Sequence, residues 1–133
     1  MISANAVWID NSRFVGIAGS RHSAVMDAAS SEKSASSPME LVLIALCGCT
    51  ATDVVSILQK KRESFTALEV RAEADQAPEP PKIYTHIRLI YRVRGNVTKK
   101  AMEDAVRLSK EKYCSVSAML EKTATITFKI EYE

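Results

Sequence analysis

The sequence predicts an α+β fold in which an antiparallel sheet wraps around one long central helix. Three observations predict it. A capped, apolar stretch from Ser37 to Arg62 reads as a single helix. Segments on both sides of it alternate apolar and polar residues, the period of strands. Turn residues cut those segments into hairpins, which gives the order ββ(β)-α-ββ-α-α-β.

The strands before the helix come first. Ala4 to Asp10 and Arg13 to Ala18 form a hairpin across Asp10-Asn11-Ser12. Gly19-Ser20 turns the chain again, and Ser23 to Asp27 makes a short third strand. Ala28 to Ser36 is small and polar, a loop.

The helix has a clear start. Ser37 is a good N-cap, Pro38 suits the first helical position, and Glu40 completes a capping box in which the Ser37 hydroxyl accepts from the Glu40 amide while the Glu40 carboxylate accepts from the Ser37 amide. Leu41 to Leu58 shows almost no polar face, so the helix is expected to be buried on all sides. The uncharged run from Leu41 to Thr52 is 12 residues and ends at Asp53, too short for a membrane span. The helix closes near Glu63 or Ser64, with Lys60, Lys61 and Arg62 at the negative end of its dipole.

After it, Leu68 to Ala74 alternates as a strand, and Gln76 to Pro81 is a proline-rich hairpin loop. Ile83 to Val93 is the longest strand, with Ile83, Thr85, Ile87, Leu89, Tyr91 and Val93 on one face. Thr98 caps a helix from Lys99 to Tyr113, Val116 to Glu121 is a short helix, and Thr123 to Tyr132 is the closing strand.

The 133 residues fit one domain, residues 1–133, and 47% hydrophobic with 26% charged residues is a soluble globular composition. Met1 to Val7 has neither the basic nor the apolar region of a signal peptide, so the chain is expected in the cytoplasm with its thiols reduced. Its three cysteines then read as reactive, metal-binding or buried thiols rather than disulfides. A net charge of +2 is too small to imply a nucleic-acid partner, and neither a nucleic-acid nor a membrane partner is expected. A helix of about 26 residues spans roughly 39 Å, against a radius of gyration of about 14 Å for a domain of this size. Such a helix would project from the domain unless a second subunit covered it, which predicts an obligate homodimer.

Cys47 and Cys49 lie two apart on the helix and point about 200° from each other, so they do not pair, and only one of them can face Cys114. Asp53 follows Cys49 by four residues on the same face. In an apolar run it requires a partner, such as a basic residue across the dimer, and its charge would raise the pKa of Cys49. His22 and His86 have no metal-ligand spacing to any cysteine, so neither zinc nor another cofactor is expected.

The stretch Pro38-Met39-Glu40-Leu41, with Cys49 within LCGCTA eleven residues after the proline, and Cys114 within YCSVSAML, resembles the OsmC/Ohr family over nearly the whole chain. More narrowly it resembles the short YhfA-type branch. The resemblance implies an OsmC-like fold and an intertwined homodimer, in which two six-stranded sheets wrap two long helices and two sites form at the subunit interface. It also implies an organic hydroperoxide reductase that takes part in oxidative-stress defence. In that reading Cys49 is the peroxidatic thiol, Cys114 the resolving thiol, and a dithiol reductant resets the pair. Glu40 and an arginine of the N-terminal hairpin, Arg13 by topology or else Arg21, would orient and activate the thiol. Two departures stand out: family peroxidases carry the glutamate directly after the proline, where this chain has Met39, and Cys47 is additional. An aliphatic pocket from Leu43, Leu46 and Met119 would suit an alkyl substrate. The alternative is a non-enzymatic dimer of the same fold that binds a small apolar or thiol-reactive ligand.

Overall fold

The computed structural model describes residues 1–133. The chain forms two compact units, residues 1–43 and 44–133. The long helix begins in the first and continues into the second.

The first unit is a three-stranded antiparallel meander of β1 (Ala4–Asp10), β2 (Arg13–Ala18) and β3 (Ser23–Asp27). Asn11 adopts a positive φ of 41° in the β1–β2 turn, a conformation asparagine tolerates. The loop after β3 is gathered around one carboxylate. Asp27 accepts from the Ser12 hydroxyl, the Ala29 amide, and both the amide and hydroxyl of Ser34, all at 2.8–2.9 Å.

Helix α1 (Pro38–Lys60) starts with the predicted capping box: the Glu40 amide donates to Ser37 Oγ at 3.1 Å, and the Ser37 amide donates to Glu40 Oε1 at 2.9 Å. It stops at Lys60, short of the expected end near Glu63 or Ser64. Arg62 takes a left-handed φ of 58°, and the Glu63 amide reaches back to the Leu58 carbonyl at 3.0 Å. This is a Schellman closure with arginine in the place glycine usually fills. The expected burial on all sides is not met within one chain, which fully covers a single stripe: Leu46, Thr50, Val54 and Leu58. Ile44 stays 56% exposed. The most apolar window of α1, with mean hydropathy 2.2, is long enough to cross a bilayer, but the hydrogen bonds of Thr50 described below tie the helix into its own unit.

The second unit carries a sheet in the order β4 (Ser64–Gln76), β5 (Tyr84–Asn96), β6 (Thr125–Tyr132). β4 and β5 are antiparallel, but β6 runs parallel to β5, so this sheet is mixed. The reason is the connection: helix α2 (Lys99–Leu108), a π-helical turn (Ser109–Tyr113) and helix α3 (Ser115–Leu120) form a crossover, which returns the chain in the same direction. Thr98 caps α2 as predicted, accepting from the Ala101 amide at 3.2 Å.

Two bulges set the phase of the β4–β5 ladder. Asp75 pairs with His86 and Gln76 with Tyr84, so Thr85 is an extra residue. Beyond it the phase flips, which buries Tyr84 and leaves Ile83 42% exposed, the reverse of the simple alternation. At the other end Thr66 is the extra residue opposite Gly95. Gly95 has a φ of 114°, and a Cβ there would lie 2.6 Å from the Ser64 carbonyl oxygen, so only glycine fits. The core consists of Ile87, Leu89, Tyr91 and Val93 from β5, Ala101, Met102, Ala105 and Val106 from α2, and the α1 stripe.

Candidate functional site

The π turn places the site. Its closing bond runs from the Cys114 amide to the Ser109 carbonyl at 2.8 Å. In an α-helix residues five apart point about 140° from each other; the i to i+5 bond instead stacks them. Ser109 and Cys114 are both buried as a result, at 0% and 3% exposure. Cys114 also caps α3, its sulfur accepting from the Ser117 amide at 3.4 Å.

Two contacts run from this turn to α1. The Cys114 thiol lies beside Cys49, half-buried on the helix. Burial first, and then the neighbouring Cys49 thiol, hold Cys114 well above the ordinary thiol value, against the opposing Ser117 amide. The Ser109 hydroxyl donates to Asp53 Oδ2 at 2.8 Å. Ser109 Oγ is also 2.7 Å from Thr50 Oγ1, which lies 2.7 Å from the Tyr91 hydroxyl. Burial pushes that hydroxyl's pKa up to about 12. Asp53 additionally lines an open cavity of about 360 Å3 with Ser56, Ile57, Lys60, Lys61, Leu108 and Tyr113.

Of the residues singled out in the sequence, Cys49 and Cys114 meet, although 65 positions separate them. Cys47, on another face of α1, is raised by burial. Glu40 spends a carboxylate oxygen on the cap, and the Ser37 amide and then its hydroxyl lower its pKa. Arg13 is taken up by Asp10: its Nε donates to Asp10 Oδ1 at 2.6 Å and its Nη2 to Oδ2. Arg21 sits exposed at a positive φ of 69° in the β2–β3 turn. Within the chain Asp53 is held by Ser109. Leu46 is fully enclosed, while Met119 is 66% exposed. Sequence reasoning missed Thr50, Tyr91 and Ser109, since isolated hydroxyls carry no spacing signal. The one hint is that Ser109 continues the apolar stripe of Ala101, Met102, Ala105 and Val106.

The chain's relatives share this architecture. Protein YhfA of Escherichia coli strain K12 is 45% identical over 131 residues, covering 98% of this chain and 97% of its own. The crystal structure of a hypothetical protein from Aquifex aeolicus VF5 matches with a TM-score of 0.86 at 29% identity, covering 100% of this chain and 98% of that one. An organic hydroperoxide resistance protein from Elizabethkingia anophelis shares the fold at a TM-score of 0.78 and 11% identity, over 100% of this chain and 96% of its own. The sequence model of the OsmC-like proteins matches residues 31–129. This span contains the capping box, the whole of α1 and both thiols of the pair, and the chain belongs to the OsmC-like family.

Proposed function

We propose that this protein is a thiol-dependent peroxidase that reduces organic hydroperoxides through Cys49 and Cys114, acting as an intertwined homodimer in the cytoplasm in defence against oxidative stress. The observation that carries this reading is the juxtaposition of the two thiols, one half-buried and one buried. The Cys49 thiolate attacks the terminal oxygen of R–O–O–H; the O–O bond breaks, Cys49 becomes the sulfenic acid, and the alkoxide takes a proton to leave as the alcohol. The Cys114 sulfur then attacks the Cys49 sulfur, its proton leaves with the sulfenic hydroxyl as water, and a disulfide forms. An external dithiol restores both thiols by exchange. The fold shared with the organic hydroperoxide resistance protein supports the reading. The dimer is supported by two uncovered apolar surfaces: the α1 face carrying Ile44, and a trough of about 610 Å3 on the first sheet floored by Ala4, Ala6, Gly16, Ala24 and Met26.

The test is to treat the reduced protein with cumene hydroperoxide, tert-butyl hydroperoxide or hydrogen peroxide, count free thiols and map disulfides by mass spectrometry. The expected result is rapid loss of two thiols with the organic peroxides, a Cys49–Cys114 disulfide, and no reaction in Cys49→Ser. Thiols that survive excess organic peroxide at neutral pH overturn it.

A second reading, a non-enzymatic dimer that binds a small apolar or thiol-reactive ligand, is favoured by one observation. Glu40 and Arg13 already hold partners, the Ser37 amide and Asp10, so neither is free to activate a thiol as it stands.

A further inference from the structure

The hydroxyl chain beside the thiols has a direction. With Asp53 ionised, the Ser109 proton is committed to Oδ2. Ser109 Oγ must then accept from Thr50, and Thr50 must accept from Tyr91. Every hydroxyl in the row points toward Asp53, so the row holds a negative charge in place at the half-buried end of the core. That charge stands beside both sulfurs. Asp53 follows Cys49 by four residues on one face of α1, and its anchor, Ser109, is the residue to which the Cys114 amide is bonded. The structure therefore has a carboxylate next to a thiol pair that does not use it in the reaction as written.

We propose that Asp53, locked by Ser109, is the positioning residue that assigns the two thiols their roles, keeping Cys114 as the S–H donor and leaving Cys49 as the nucleophile. The inference rests on the peroxidase reading for its purpose but not for its test. A negative charge acts most strongly on the sulfur with least water around it. Cys114 is 3% exposed whereas Cys49 keeps part of its surface. Asp53 thus discourages ionisation of Cys114 more than that of Cys49, and a protonated Cys114 donates its S–H to the Cys49 thiolate and stabilises it. The other groups facing the pair do not undo this. Tyr91 approaches from β5 with a hydroxyl that is neutral near pH 7 and that burial keeps so, and the Ser117 amide faces Cys114 from α3. Lys110, next to Ser109, is turned away to the Ile126 carbonyl on β6 at 2.7 Å. Burial and Asp53 both push Cys114 in the same direction, upward.

The experiment measures iodoacetamide alkylation of each cysteine, peptide by peptide, in the folded, reduced full chain from about pH 5 to about pH 11, spanning the ordinary thiol value of about 8.5. Because Cys114 is pushed up to about 12, each pH unit by which its midpoint moves is read as a tenfold change in its alkylation rate below that value. Thiolate ultraviolet absorbance in a Cys47→Ser background gives a second measure of the midpoints. In the unmodified protein Cys49 reacts well before Cys114. Asp53→Asn is expected to lower the Cys114 midpoint by about one unit and to narrow the rate gap between the two cysteines about tenfold. Asp53→Glu restores the gap. Ser109→Ala, which frees the carboxylate toward the sulfurs, is expected to raise the Cys114 midpoint. Opposite shifts in Asp53→Asn and Ser109→Ala are the signature of charge, because a merely loosened core lowers the midpoint in both. Downward shifts in both variants, or no shift in Asp53→Asn, overturn the proposal. Because alkylation needs no peroxide, failure of the peroxidase reading would show separately, as thiols that survive peroxide.

Discussion

The two units are held together by different physics. In residues 44–133, fifteen apolar side chains are buried, and the site lies among them. In residues 1–43 none is. Trp8 is 63%, Val25 50%, Ile9 49% and Val7 47% exposed, and the one buried side chain is the carboxylate of Asp27. The second unit is stabilised by removing apolar area from water; the first by a strand ladder and four hydrogen bonds onto one acid. The lesson is that a family fold can carry a core in one part and exposed apolar strands held by hydrogen bonds in another.

The largest test of this contrast is a paired truncation. Leu58→Ala, at 0% exposure, is expected to lower unfolding free energy by about 2–5 kcal/mol. Val25→Ala is expected to change the isolated chain by less than about 0.5 kcal/mol. Urea denaturation at low protein concentration checks both, and equal losses would erase the distinction. Next comes Thr50→Val, which keeps the shape but leaves the Tyr91 and Ser109 hydroxyls short of a partner. The expected cost is about 1–3 kcal/mol, by the same measurement, with a neutral result meaning that the chain of hydroxyls is not formed in solution.

The smallest and most local effect is acid sensitivity of the first unit. The Ser34 amide, the Ala29 amide, and the Ser34 and Ser12 hydroxyls hold the Asp27 carboxyl well below the usual range. A carboxyl lowered on folding contributes its full stability above the unfolded value of about 3.9, and loses it as pH falls toward the folded value. Amide hydrogen exchange should therefore show residues 28–36 opening below about pH 4 while the β5 core stays protected. Simultaneous opening of both would count against Asp27 as the organising group.

Most of the elements were legible because their signals are local. The capping box needs only Ser37 and Glu40, and the β1–β2 hairpin only Asp10-Asn11-Ser12. The convergence of Cys49 and Cys114 was legible through family resemblance, since no spacing rule connects them. What escaped the sequence depends on partners far along the chain. The parallel pairing of β6 follows from the crossover, not from its own alternation. The phase slip at Thr85 requires knowing what lies opposite. Ser109 reads as one more residue on the buried face of α2 until Thr50 and Asp53 are found opposite it. Arg13 next to Asp10 could have been read, since a tight turn brings such neighbours together.

The π turn also has a consequence for which sequence changes this chain can survive. A turn closed by an i to i+5 bond holds one residue more than an α turn. Deleting any one residue between Ser109 and Tyr113 would let α2 continue as a regular helix, a locally favourable repair. Cys114 would then follow Ser109 by four positions, about 40° around the helix, and would stay on the same face. A one-residue deletion here is therefore expected to leave both helix content and the meeting of the two cysteines intact. A substitution that forced α geometry on all five residues would instead carry Cys114 about 140° from Ser109 and away from Cys49.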